Sequence, residues 1–591
     1  MEFQYSFDAS PKPRIDPNAT LYASVAGMAA DLGNGECVFR TEGGPHVMTT
    51  QVLGALDRCR AFKSIDEHID TIRQILPNVP LDGIKRVLDG LVGRKLLVSE
   101  ADYLASLDAA HTGATEAGQD PNLVIRACDR PEALKQCLAS LKEAASVQGL
   151  PVQLIDDSRD SAALRAHQQL LADCGLNARV FEAEAAIGKL KKALPEHQSV
   201  IDDLFSGHGN GRAFNRALLA TAGRTLALLD DDFVYRLHRH PEYQPGLELG
   251  LSSNLPVRFF DRLGAALDAG QDDADAFVAH QRRCGQSLAT LLQIEGMKSQ
   301  KGSLRGLEPS TLPHLRAGAR IVATVNGHRG RSGSTRCEGF FEIDAASRAS
   351  FMSNRDQYLR AIENPALWVG PTKAQLARRV NFLPFLVDTT GMLGFAAPTG
   401  RSEDAFFGAI TQLLLPESLV WMSAHAIAHQ PPEERKFAKP GAEVERPGFN
   451  TFLVDYALNR VGDLRAASVA QRAQGFAAML EDLADSEQQA LLYFVAEYLQ
   501  FRRSDLIHSL QGIAAEAGPQ APIYWQADLR EIIVANGKAL AQNELPRLAG
   551  EQHLDSAATL CAHWRHELRR HAAAVRAWPT IWQAALQGAA R

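Results

Sequence analysis

The sequence predicts an α/β fold flanked by two helix-rich regions. Between residues 122 and 448, apolar runs of strand length alternate with amphipathic helix patterns. Acidic residues fall just after the runs that read as strands, and beyond residue 449 the strand signal all but vanishes. Strand–helix–strand alternation implies a parallel sheet with helices on both faces. Such sheets bind ligands beyond the carboxyl ends of their strands.

Length and composition bound the rest. The chain has 591 residues, which at about 150 residues per domain suggests roughly three or four domains. Hydrophobic residues make up 46% and charged residues 22%, a globular balance that excludes disorder as the main state. A net charge of −7 does not suit general binding to a phosphate backbone, so no nucleic acid partner is expected. No run approaches the roughly 18 apolar residues of a membrane span, so no transmembrane segment is expected. The start, MEFQYSFDASPKPRIDP, lacks the basic and apolar regions of a secretory signal. The eight cysteines include no CxxC pair, so they are expected as reduced thiols of a cytoplasmic protein.

The first region, 1–110, contains three amphipathic segments. Val52, Leu56 and Cys59, then Ile65, Ile69, Ile72 and Ile75, then Ile84, Val87, Leu88 and Leu91 follow helical spacing. Ser64 followed by Glu67 forms a capping box. Gly93 ends the third helix, and KLLVS reads as a short strand. Three helices and a strand predict a winged-helix-like module. HTGATEAGQDPN, 111–122, is a polar linker.

In the second region, 122–448, LVIRAC (123–128), VQLIDD (152–157) and ARVFEA (178–183) are expected strands with helices between them. GRAFNRALLATAG (211–223) is a helix, and TLALLDDDF (225–233) is an apolar strand ending in acids. The strand ends thus carry Asp129, Asp156, Asp157, Asp230, Asp231 and Asp232. The third region, 449–591, is rich in Ala, Leu, Gln and Arg at helical spacing and is expected to be all-helical. Its helices could form a dimer face, an acceptor groove or, through HWRHELRRHAAAVRAW, a peripheral membrane contact; a solvated face is the plainer reading.

Several groups carry chemistry. Three consecutive carboxylates repel one another unless water or a cation lies among them. Hard oxygen ligands suit Mg²⁺ or Mn²⁺, which commonly also take substrate phosphates. Ser402 is placed to cap a helix whose first turn holds Glu403 and Asp404; the helix dipole stabilises acids there, and one of them could serve as a general base. His425 and His429 are spaced to face the same way on a strand, and His429 adjoins the strand's expected end at Gln430-Pro431-Pro432, the better position for a metal ligand. Gly207, Gly209 and Gly211 precede a helix and could cradle a phosphate, or form a flexible loop. Arg329, Arg331 and Arg336 lie in a Gly/Ser-rich segment, 326–339, expected as a solvated loop that could also close over a phosphate.

These pieces resemble one family. VIRACDRPEALKQCLASL, QLIDDSRD, GHGNGRAFNRALLATAGRTLALLDDDF and GRSEDAFFG occur in the order of the motifs of family 2-type glycosyltransferases with the GT-A fold, a Rossmann-like nucleotide-diphospho-sugar transferase core. The similarity covers about 122–435. It implies that Asp129 and Asp157 contact the base of a nucleotide-sugar, such as a UDP-sugar, and that Arg130 lies in the same site. It implies Asp230 and Asp232 as the DxD pair flanking Asp231, with Asp232 the direct metal ligand and His429 completing the site. It implies Asp404 as general base and Glu403 as an acceptor or structural contact. The sequence departs from the family in having Asp129 before Arg130 and Phe214 before Asn215, and 233–400 does not align. The first region resembles PqqD-like winged-helix modules that bind leader peptides, which implies a peptide as acceptor; a glycan is the other acceptor class, and the competing reading of the module is a generic winged-helix accessory domain for assembly or scaffold contacts. The expected function is metal-dependent glycosyl transfer with inversion, by a monomer or a homo-oligomer. The rivals are a non-catalytic scaffold on the same fold and a nucleotidyltransferase; CDRPEALKQC lacks the basic loop the latter usually needs.

Overall fold

Apolar side chains bury the strand Asn122–Ala127 almost completely in the middle of a large mixed sheet. The computed structural model describes residues 16–590 except 17, 42, 77, 109–120, 250–255, 297–301, 306, 308–310, 334–337, 381, 433–438, 443, 465–467 and 543. Nearly all of the expected linker therefore lies outside the described residues, as does Arg336. The chain divides into two compact units, one of 1–113 with 246–252 and 288–318, the other of 114–245, 253–287 and 319–591.

In the first unit the three expected helices form at Thr50–Arg58, Ile65–Arg73 and Leu81–Gly93, and Ser64 and Glu67 make the reciprocal capping box. Leu56, Ile69, Ile72, Leu88 and Leu91 meet in one core. Leu97–Ser99 is a strand, paired antiparallel with Tyr22–Ser24. Ahead of the helices lies an antiparallel sheet of Met28–Gly33, Glu36–Thr41 and Gly44–Thr49, which the expectation of three helices and one strand did not include. Its signal was local: Asn34-Gly35 supplies the positive φ values, 55° and 79°, of a tight hairpin. Thr49 then caps the first helix by accepting from the Val52 amide. A cavity of about 1010 Å³ opens in this unit, with Phe39, Arg60, Arg94 and Tyr103 in its wall.

In the second unit, Ala178–Val180, Val152–Asp156, Asn122–Ala127 and Thr225–Asp230 lie side by side in parallel. Leu386–Asp388 runs antiparallel to the last of these and to Ile321–Arg331. Ile321–Arg331 then pairs in parallel with Leu419–His429. The carboxyl ends of 122–127, 152–156, 225–230 and 419–429 consequently reach one edge of the sheet. Leu123, Ile125, Leu134, Leu138, Leu154 and Leu229 fill the core between sheet and helices. Two features differ from expectation. NGHRGR is the end of a strand that is buried on both faces over most of 321–331; Arg329 is 2% exposed and donates to the carbonyls of Leu267 and Arg236. After the acids at 230–232 the chain turns back as a further strand, Phe233–Arg239, antiparallel to 419–429.

From residue 449 on, the described residues form five α-helices, as the composition predicts: Phe449–Arg460, Val469–Asp485, Gln488–Ala517, Ile523–Ala541 and Ala557–Leu586. They belong to the same compact unit as the sheet. The last one buries Trp564, Trp578 and Trp582. Among the described residues no helix is long and apolar enough to cross a membrane, and the seven described cysteines are free thiols.

Candidate functional site

The acids at the strand ends do not share one environment. Asp230 is held by Arg126, whose Nε and Nη2 donate to its two carboxylate oxygens at 2.7 and 3.0 Å. Arg126 projects from the neighbouring strand at the register position opposite Asp230. Asp231 is fully buried and faces Arg130, as does Asp232: Arg130 Nη1 donates to Asp232 Oδ2 at 2.9 Å, while Nε and Nη2 reach Asp231. Burial pushes Asp231 up to about 7, with Arg130 opposing the shift. Burial acts the same way on Asp232, but His429 and Arg130 outweigh it and hold that carboxyl well below the usual range.

His429 ends its strand directly opposite Phe233. Its Nδ1 lies 2.7 Å from the Arg331 carbonyl, an acceptor only, so Nδ1 carries a proton. Nε2 is then left facing Asp232 Oδ2 at 3.7 Å. That distance is too long for a hydrogen bond and leaves room for a cation between nitrogen and oxygen, although Arg130 Nη1 already bonds the same Oδ2. As a seat for Mn²⁺ or Mg²⁺ the pair fits, contributing one hard oxygen and one imidazole nitrogen. No group of three potential ligand side chains comes together among the described residues. His425 is elsewhere, bonded through Nε2 to Asp273 at 3.0 Å. The two histidines therefore serve different places.

Asp404 and Glu403 open the helix Glu403–Leu414. Ser402 precedes them but does not cap the helix through its side chain. It sits at φ 68°, and its hydroxyl lies 3.2 Å from Thr451 Oγ1. Burial pushes Asp404 up to about 6, with the Glu403 charge adding to the shift and Arg126 opposing it. Arg126 in turn feels both Glu403 and Asp404. The expected base thus lies within electrostatic reach of the guanidinium that holds Asp230, while Asp231 and Asp232 are held by Arg130.

The segment before that helix is held by close packing. The Asn215 side chain accepts from the Ala396 amide at 2.8 Å and donates to the Ala396 carbonyl at 2.9 Å. Asn450 Nδ2 donates to the carbonyls of Thr399 and Arg401, each at 2.8 Å. From the last helix, Trp578 and Trp582 donate their indole N–H groups to the carbonyls of Leu393 and Gly391, each at 2.7 Å.

Asp129 and Asp157 lie at the ends of adjacent strands. Asp129 adopts φ 52°, and its Oδ1 accepts from the amides of Arg159 and Asp160, each at 3.0 Å. Those bonds, the Asp160 amide first, hold its carboxyl below the ordinary value. Asp157 pairs with Arg216 and accepts from the Gly209 amide at 2.8 Å. One amide of the glycine loop is therefore committed to a carboxylate. The side chains of Arg216 and Asp157 are 9% and 8% exposed. Arg216→Met is accordingly expected to cost about 3 kcal/mol by taking the guanidinium from a buried carboxylate, which keeps only the weaker support of the Gly209 amide and of His208 Nδ1 at 3.6 Å. Urea unfolding measures this; a loss below about 1 kcal/mol would mean that water compensates Asp157.

Sequence reasoning did not single out Arg126 or Arg216. Each left a signal: Arg126 interrupts an apolar strand next to its end, and Arg216 lies on a helix face that is otherwise buried. A charge at such a position requires a partner. Compared with protein families the chain matches none, and no curated protein matches it.

Proposed function

We propose that the second unit is a glycosyltransferase of the GT-A, family 2-like kind, which moves a sugar from a nucleotide diphosphate to an acceptor hydroxyl with inversion. The observation that carries this reading is that Asp404, raised to about 6 by burial, lies within electrostatic reach of Arg126, the arginine that also holds Asp230 at a strand end. A carboxyl with that value is suited to accept a proton near neutral pH. Asp404 takes the proton of the acceptor hydroxyl as its oxygen bonds to the anomeric carbon. The bond from that carbon to the diphosphate breaks on the opposite face, and the nucleoside diphosphate leaves. Asp230 fixes Arg126, which balances the charge of Glu403 and Asp404. Glu403 is an acceptor or structural contact, and Asp129 and Asp157 border the place of the nucleotide base. A Mn²⁺ or Mg²⁺ ion seated on Asp232 and His429 would supply Lewis-acid neutralisation of the leaving diphosphate.

In the same reading the first unit is a winged-helix-like module similar to the PqqD-like domains, and the acceptor is a peptide or a glycan. The amphipathic helices between Thr50 and Gly93 and the cavity beside them support it.

The test is calorimetric titration of a panel of nucleotide-sugars in the presence of Mn²⁺, on the wild type and on Asp232→Ala. One sugar donor is expected to bind, with at least a tenfold loss in the variant, the size of an interaction of about 1.4 kcal/mol. Binding of no nucleotide-sugar would favour the scaffold. Release of pyrophosphate from a nucleoside triphosphate would favour a nucleotidyltransferase.

A further inference from the structure

Arg130 touches both Asp231 and Asp232 with one guanidinium. The oxygen it takes from Asp232, Oδ2, is the one that faces His429 Nε2. A cation seated between Asp232 and His429 must therefore compete with an arginine already in place. Burial divides the mobile partner from the fixed ones: the side chains of Asp231 and Asp232 are 0% and 6% exposed, and that of Arg130 is 31% exposed. The backbone around Arg130 is rigid. Asp129 precedes it in a left-handed turn pinned by two amides, and Pro131 follows it at the first position of a helix. Only the side chain is free to leave. A guanidinium binds phosphate and carboxylate with the same two-pronged geometry, so the diphosphate of a sugar donor is the natural second home for it.

We propose that Arg130 is a built-in counter-cation that holds Asp231 and Asp232 until a sugar donor's diphosphate draws it away, so that a divalent ion and the sugar donor bind in concert. The diphosphate half of this inference rests on the glycosyltransferase reading; the arginine's competition with a cation for Asp232 does not. While Arg130 stays, a second positive charge meets repulsion at a few ångströms. Once it swings to the diphosphate, Asp232 Oδ2 is released and the phosphate oxygens arrive together.

The experiment titrates Mn²⁺ into the full chain, alone and with uridine diphosphate, followed by calorimetry and by the spin-resonance signal of free Mn²⁺. For the wild type, uridine diphosphate is expected to tighten Mn²⁺ binding at least tenfold. Arg130→Gln is expected to bind Mn²⁺ alone at least tenfold more tightly than the wild type, and to lose most of the enhancement by the nucleotide. Arg130→Gln/Asp232→Asn should lose the gain, which locates it at this seat, and Arg130→Lys should keep the weak wild-type affinity. Should Arg130→Gln fail to fold, the same comparison is made between Asp231→Asn and Arg130→Gln/Asp231→Asn, which removes the buried acid whose charge Arg130 balances. Mn²⁺ affinity within twofold of the parent in the arginine-less protein would overturn the proposal, even if nucleotide-sugars bind and turn over. If no uridine nucleotide or nucleotide-sugar binds the wild type, the transferase reading falls and takes the diphosphate half with it. The Mn²⁺-only comparison still decides the competition.

Discussion

Replacing Asp404 with Asn is expected to lower glycosyl transfer roughly a thousandfold, the scale of a lost general base, while sugar-donor affinity stays within about threefold. Asp404 lies in the first turn of its helix, and Arg126 is close enough to feel its charge. Asn keeps the shape and cannot accept the proton. The pH profile gives a second reading of the same group. Burial and Glu403 favour the neutral form and raise Asp404 to about 6. The base works only when ionised, so kcat/KM is expected to fall about tenfold per pH unit below that value and to level off above it. The stability effect has the opposite sign. A carboxyl raised above its ordinary 3.8 favours the fold below that pH, and the contribution is lost as pH rises through 6. At neutral pH Asp404→Asn should therefore be at least as stable as the wild type, which separates lost chemistry from lost folding. Equal loss of sugar-donor binding and transfer would remove Asp404 from the role of base.

Periodicity made the helices and the central strands legible, because burying one face imposes a repeat that survives in the sequence. Val124, Ile125 and Leu154 are fully or almost fully buried where the apolar runs placed them. The edge of the sheet that gathers acids was legible for the same reason: parallel strands must deliver their carboxyl ends to one side. What stayed hidden depends on contacts between distant segments. The Arg126–Asp230 pair joins residues 104 apart, and Arg216–Asp157 joins residues 59 apart. Spacing along the chain carries no record of either. The strand Ile321–Arg331 was hidden by its composition, since glycines and arginines that usually mark a loop are here buried between two neighbouring strands. The edge strands before residue 50 were hidden by weak alternation; Met28–Gly33 is exposed along its whole length.

Gly211 shows how a sequence signal can be right about position and wrong about cause. Its place before a helix suggested an amide cradle for phosphate. The structure gives it another duty. A Cβ on Gly211 would stand 1.7 Å from the Ala397 carbonyl oxygen and 2.7 Å from its carbon, both backbone atoms. Helix propensity alone would make alanine there more favourable by about 1 kcal/mol, so the two effects have opposite signs. Steric exclusion should win, because the segment it strikes has little room to retreat. Asn215 binds Ala396 through both its amide and its carbonyl, and Trp578 and Trp582 fix Leu393 and Gly391 from the far side. Gly211→Ala is thus expected to destabilise the fold by about 3 kcal/mol, the upper range of overpacking. It should also displace the segment that leads to Asp404, so that activity falls in the fraction that remains folded. Gly207→Ala is the comparison: Gly207 has φ 78° and nothing within 4 Å of an added Cβ, so only the backbone cost of about 1–2 kcal/mol applies. Urea unfolding of the two variants decides the matter. A Gly211→Ala protein as stable as the wild type would mean that the 394–398 segment yields, and that the route from the last helix to Asp404 is slack.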